Sequence, residues 1–419
     1  MISSKLDPNV LPKKTGGLKA ERTFHRVTFT PSSANPGETL YISVPTLSEN
    51  LLIVPGTLAL RFDLSIQPQT ADKRYCVNNI GRNIVNRMKV KFAGECLLDL
   101  NRYDLYHTYK DLFMWPKERD VLVEHGIGSV DLRKIRSKVG TEPSNATDEK
   151  ALLAAYGTKY VIPLDFEILS THGVFYPRVL NSEMQFEVTL ADTTNLLQLD
   201  TAESALSGTI HPYSLTNLEL QYETIHSDIL ARSAMQEYSA GKAFLYNHVH
   251  HHKTINFLDK TDDLITETVN IPRRSLSGLL LLFVKPFNAG KRDSEAFVNP
   301  NITDVKVNIN GVPNKIYSQG LKPTDIYKEV VKRFGDHVSP TQFFHGNKYA
   351  LWIDLRTSED NDIHGQGLKL VSTQDGVTLE IRRTKNSGAG ANDKINCHIF
   401  VVSDAQMNIE GNQLSSIAY

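Results

Sequence analysis

The sequence predicts an all-β protein made of two tandem sandwiches, each carrying a helix midway. Three observations support this: apolar residues at every second position, turn-forming residues between those runs, and a repeat relating the two halves.

The alternation is clearest where Leu58, Leu60, Phe62, Leu64 and Ile66 interleave with Ala59, Arg61, Asp63 and Ser65. A period of two places every apolar side chain on one face of a strand. Met184–Leu190, Leu218–Tyr222, Val377–Ile381 and Ile395–Val402 read the same way. Asn35-Pro36-Gly37, Asn310-Gly311 and Asp375-Gly376 separate such runs. These residues tolerate or preset the backbone angles that tight turns need. Many short strands joined this way indicate a sandwich or barrel.

The repeat centres on two helices. The strand Met88–Gly94 matches Val305–Gly311, and Asp104-Leu105-Tyr106 matches Asp325-Ile326-Tyr327 at the start of a helix. Leu105, Tyr109 and Phe113 recur at the same spacing as Ile326, Val330 and Phe334, giving each helix one apolar stripe. Asn101 and Thr324 are the expected N-caps, each followed by an aspartate in the first turn. Tyr160–Asp165 echoes Tyr349–Asp354, and each copy is expected to close on a strand ending in Ser-Asp, at 227–228 and 403–404.

This divides the chain into an arm (1–21), a first sandwich (22–226), a linker helix (227–240), a second sandwich (241–404) and a tail (405–419). Ile229, Leu230 and Met235 are the apolar residues expected of the linker helix. The halves differ after the inserted helix: roughly 47 residues separate Phe113 from Tyr160, against roughly 15 between Phe334 and Tyr349. The long loop 116–159 therefore reads as a surface excursion with an interaction role.

Bulk composition excludes several classes. The 419 residues exceed what one hydrophobic core usually serves. A net charge of −1 argues against a general polyanion binder. Cys76, Cys96 and Cys397 are too few and scattered for a disulfide framework, so reduced thiols in the cytosol or nucleus are expected. Residues 1–17 contain no apolar signal core, so secretion is not expected, and the sequons at Asn145 and Asn301 carry no weight. The most apolar run, Leu276–Val284, suits a buried strand and is too short to span a bilayer.

Candidate chemistry is sparse. His248, His250 and His252 fall on one strand face, where they could bind a metal, act as a pH-sensitive contact or form a polar edge. No further ligand is evident nearby. Glu359, Asp360 and Asp362 resemble a calcium loop, but the twelfth position holds Val371 where glutamate is needed. Gly388–Ala391 lacks the Lys-Ser/Thr of a phosphate loop. No catalytic set can be assigned, and no cofactor is expected. Lys13 and Lys14 in the arm, Val121 and Val123 in the long loop, and Ile409, Leu414 and Ile417 in the tail are the candidate assembly contacts.

Two segments carry a family resemblance. NRMKVKFAGECLLDLNRYDLYHTYKDLF (Asn86–Phe113) and ALWIDLRTSEDNDIHGQG (Ala350–Gly367) resemble blocks of double jelly-roll major capsid proteins. The resemblance is to the Polinton/Maverick or adintovirus-like branch of the adenovirus- and virophage-related lineage. It implies two eight-stranded jelly rolls standing upright (a vertical double jelly roll) in a homotrimeric, pseudo-hexagonal capsomer that tiles an icosahedral shell around double-stranded DNA. The implied partners are further copies, neighbouring capsomers, penton and minor capsid proteins, with at most weak contact to packaged DNA. The implied location is the virion, assembled in the host nucleus or cytoplasm, with no membrane insertion and no enzymatic activity. The alternative from architecture alone is a tandem-sandwich glycan-binding protein or glycan amidase.

Overall fold

A computed structural model of the chain describes residues 20–47, 50–66, 74–77, 79–120, 122, 159–170, 175–180, 182–199, 213–286, 293–315, 317–356, 367–372, 375–390 and 393–419. The first half contains β1 (Glu21–Thr28), β2 (Thr39–Ser43), β3 (Leu51–Ile53), β4 (Ala59–Ile66), β5 (Arg74–Cys76), β6 (Val85–Phe92), β7 (Glu95–Asn101), β8 (Lys159–Pro163), β9 (Met184–Leu190), β10 (Leu197–Leu199) and β11 (Tyr213–His226). The second contains β12 (Lys242–Leu258), β13 (Leu264–Val269), β14 (Arg273–Val284), β15 (Ile302–Ile309), β16 (Val312–Pro313), β17 (Ala350–Asp354), β18 (Leu368–Leu370), β19 (Val377–Arg383), β20 (Lys394–Glu410) and β21 (Gln413–Ala418). The main helices are α1 (Tyr103–Asp111), α2 (Asp228–Ala240), α3 (Pro323–Phe334) and α4 (Pro340–His345).

One sheet of the first half runs β1-β11-β4-β8 and the other β2-β9-β6-β7; β3 joins β11, and β5 pairs with β10. In the second half the orders are β12-β20-β14-β17 and β13-β19-β15-β16, with β18 on β14 and β21 on β20. Without the added strands each half holds eight. Counted first to eighth, both halves give 1-8-3-6 and 2-7-4-5. The chain is thus two jelly rolls in tandem.

The sequence repeat coincides with this correspondence. β6 and β15 are both fourth strands, β8 and β17 both sixth, and α1 and α3 both link fifth to sixth. The turns after the fourth strands match as well. Ala93 and Gly94 have φ of 53° and 84°, and Asn310 and Gly311 have 50° and 77°. Positive φ at both central residues gives a two-residue turn whose twist suits a hairpin, and glycine takes its second place without steric cost.

The alternating runs bury as expected: Leu58, Leu60, Phe62 and Leu64 are buried while Arg61 and Ser65 are not. The apolar run Leu276–Val284 is a central strand buried along its length. Gly278 within it is a packing requirement, since a Cβ there would stand 2.5 Å from both the Trp352 ring and the Ile353 carbonyl.

Several local expectations are corrected. Asn101 ends β7, and Arg102, at φ 55°, precedes α1. Thr324 lies inside α3, which starts at Pro323, and Lys322 donates its N–H to the Asp325 carboxylate at 3.1 Å. Proline suits this first position because its missing N–H would have had no partner there. The linker helix α2 buries Leu230, Ala231, Ala234 and Tyr238 and leaves Ile229 and Met235 exposed. Its inward face is set by the 3.6-residue period rather than by side-chain size. The last strand of the second half does not stop at Ser403-Asp404, as expected, but continues to Glu410. The expected tail is the end of that strand plus β21, which folds back on it.

Candidate assembly surfaces

The seam between the jelly rolls is built around α1. One side of α1 faces its own half, where buried Arg82 donates to Asp111 at 2.8 Å and to Asp165 at 2.7 Å. Burial opposes ionisation of Asp165, yet Arg82 beside it holds its carboxyl below the usual range. His107, in the same layer, is pushed well below the usual imidazole range by burial and then by Arg82.

The other side of α1 is aromatic and faces the second half. Tyr109 meets Phe297 and Phe334 edge-on at 5.1 and 5.5 Å, and Phe113 meets Phe334 at 5.5 Å. Tyr106 lies 5.7 Å from Phe400. The two apolar stripes read in the sequence thus meet each other at Phe334. The start of the long loop continues the seam, with Trp115 against His337 at 4.2 Å and Arg119 paired with Glu295.

Beyond the helices, β12 runs beside β7. The Tyr246 hydroxyl donates to the Leu97 carbonyl at 3.0 Å, and the Asn247 N–H donates to Glu167 at 2.6 Å. The Tyr419 hydroxyl donates to the Cys96 carbonyl, and its ring packs 4.9 Å from His248.

The histidines of β12 are part of this seam. His248 is buried, and burial followed by Arg273 pushes it down to about 3. His250 is lowered by burial and then Arg273, and bonds to the backbone of Asp99. A register irregularity between His251 and Lys253 interrupts the strand ladder at His252. Burial and then Lys253, its immediate neighbour, hold the His252 imidazole below its usual range. Among the described residues no three His, Cys, Asp or Glu side chains gather as a metal site would need. The close imidazole pair is instead His251–His398, at 3.3 Å, with the Thr254 hydroxyl 3.0 Å from His398.

The candidate assembly contacts are scattered. Ile409 is 1% exposed in the chain's own core, and Leu414 and Ile417 pack against that core from β21. Lys13, Lys14, Val121 and Val123 lie outside the described residues, as does the 359–362 carboxylate cluster. Sequence reading missed a different set of exposed apolar side chains: Phe24 and Val27 on β1, Tyr41 on β2, Leu264 on β13 and Val312 on β16. β1 did carry a signal. Phe24 and Val27 fall on opposite faces, so no single face of the strand is apolar.

No family model and no curated protein matches the chain. Solved structures do. The PBCV-1 virus capsid, in its quasi-atomic model, aligns with a TM-score of 0.61 at 12% identity over 97% of this chain and 99% of that one. The Faustovirus major capsid protein aligns at 0.59 and 8% identity, over 94% and 92%. The mavirus major capsid protein aligns at 0.53 and 11%, over 94% and 89%. The likeness is one of fold, and it runs through both jelly rolls.

Proposed function

We propose that the chain is a major capsid protein whose homotrimer forms a pseudo-hexagonal capsomer of an icosahedral double-stranded DNA virus or virus-like transposon. The observation that carries this reading is the identical eight-strand order in two halves fused by a packed aromatic seam. Two similar upright blocks per chain give six per trimer, a shape that tiles a facet while using a single gene product. End-to-end alignment with capsid proteins supports the same reading. The Asn86–Phe113 and Ala350–Gly367 blocks favour the Polinton/Maverick or adintovirus-like branch. Neighbouring capsomers, penton and minor capsid proteins are the partners on this reading, and the virion is the location.

Light scattering after size-exclusion chromatography tests it. A mass of three times 47.0 kDa is expected. A stable monomer across the accessible concentration range would overturn the capsomer.

A further inference from the structure

The arginines around the seam come with carboxylates. Arg82 meets Asp111 and Asp165, and Arg119 meets Glu295. Arg87 grips Asp99 at 2.7 and 2.6 Å, and Arg102 grips Asp104 at 3.0 and 2.8 Å. Arg273, where β14 begins, is the exception: among the described residues no carboxylate is paired with it. The side chain is half-buried, one Nη donates to the neighbouring Pro272 carbonyl at 3.0 Å, and the buried Nε has no partner. Burial lowers the pKa of its guanidinium, and the groups opposing that shift are the hydroxyls of Tyr419 and Tyr246.

A second orphan lies beside the same aromatic ring. His248 is 6% exposed, and its Nδ1 has no partner either. The Tyr419 ring sits 4.9 Å from the His248 ring and 5.7 Å from the Arg273 Cζ. Tyr419 itself is committed elsewhere. Its hydroxyl donates to the Cys96 carbonyl, and its main-chain oxygen accepts from the Arg274 N–H at 2.8 Å. Asp99, the carboxylate that acts on His248 and His250, is already held by Arg87. Arg273 acts on both histidines, so a cation and an imidazole nitrogen share one corner of the seam with no acceptor of their own.

We propose that this corner binds an inorganic phosphate ion between Arg273 and His248, beside the ring of Tyr419. A buried charge without a partner is costly, and a buried polar atom left unbonded adds to that cost. An oxyanion removes both. The Arg273 Nε–H donates to one oxygen and the His248 Nδ1–H to another, the first of these a charge-assisted bond. Water would answer the nitrogens but not the charge. A tetrahedral dianion also offers acceptors in several directions, which suits donors arriving from separate strands. The bound ion ties β12 to β14 beside Tyr419, whose hydroxyl reaches β7 of the first half. It therefore acts as a pin within one chain, whatever the number of copies in the assembly.

Calorimetric titration of inorganic phosphate into the full-length chain tests this, at neutral pH and with ionic strength held constant by sodium chloride. One saturable site per chain is expected, with a rise in unfolding temperature that follows its occupancy. Sulfate, an oxyanion of the same shape, should compete. No saturable binding would overturn the proposal. So would a stabilisation that keeps growing with phosphate concentration, which is a general salt effect. Arg273→Met should weaken binding about tenfold or more. His248→Phe keeps a ring against Tyr419 without the nitrogens and should weaken it about threefold or more. Undiminished binding in either variant, with a circular dichroism spectrum like wild type, would mean an adventitious ion only.

Discussion

The polar residues buried along the seam show how far single positions depend on partners distant in sequence. His398 lies 3% exposed on β20 and is pushed down to about 2 by burial, then by Arg102 of the first half and by His251. His251 is held down to about 4 by burial and then Arg102 and His250, with Asp104 opposing. A histidine whose folded pKa lies below its unfolded value near 6.5 costs no stability above that pH. As the pH falls below 6.5 the unfolded chain takes up a proton that the folded chain refuses, so stability declines until the folded pKa is reached. Each such histidine steepens the decline by at most about 1.4 kcal/mol per pH unit. We therefore expect His398→Phe to flatten the loss of stability between pH 6.5 and pH 4.5 by up to that slope. Urea unfolding at a series of pH values would show it, and a slope equal to wild type would rule out His398 as a contributor. None of this was legible beforehand. The sequence drew attention to His248, His250 and His252 at regular spacing, while the histidine that pairs closely with β12 comes from a strand some 150 residues away.

At the scale of elements, the apolar stripes were legible because periodicity is local, but their partner was not. The stripe residues Tyr109, Phe113 and Phe334 pack on each other across the seam, Tyr109 edge-on to Phe334, which no local pattern could specify. The polar face of α1 was the harder case. Asp104, His107, Thr108 and Asp111 would read as solvent-facing, yet all are buried, and Asp111 holds Arg82 from 29 residues upstream. Ile409, by contrast, reads in the sequence as a tail residue available for assembly contacts, because the repeat is matched only as far as Ser403-Asp404. Pairing with Lys242 across β12 draws the strand onward and buries it. Phe334 offers a direct measure of the helix contact, since its ring touches Tyr109, Phe113 and also Trp352 at 6.0 Å. Phe334→Ala should cost about 2–4 kcal/mol, near the low end for core aromatics because the ring is only partly buried. Phe334→Leu should recover more than half of that loss. Equal destabilisation by both, measured by urea unfolding, would mean that the aromatic cluster is not what holds the helices together.

For the molecule as a whole, the question is whether two jelly rolls behave as two domains. Contacts between domains of one chain are usually modest and polar, and relative motion is then the default. Here the seam is aromatic at its centre, and the buried apolar residues of both halves form one continuous cluster. Around it Tyr246 and Tyr419 donate to backbone carbonyls of β7, and Arg119 pairs with Glu295. Separating the halves would expose the Tyr106, Tyr109 and Phe113 face of α1 while leaving the Arg82 layer beneath it intact. The first half would then present an apolar helix to water, a cost it does not bear when docked. The halves should therefore unfold together. Calorimetry at concentrations where the chain is monomeric should give a single endotherm whose calorimetric and van't Hoff enthalpies agree. Phe334→Ala should lower that transition without splitting it, because the hydrogen bonds from Tyr246 and Tyr419 to β7 and from Asn247 to Glu167 remain. Two resolved endotherms in the wild-type chain would show that the seam is a weak contact. A rigid building block could then not be assumed, and the geometry of any ring would have to be fixed by contacts between copies instead of within one.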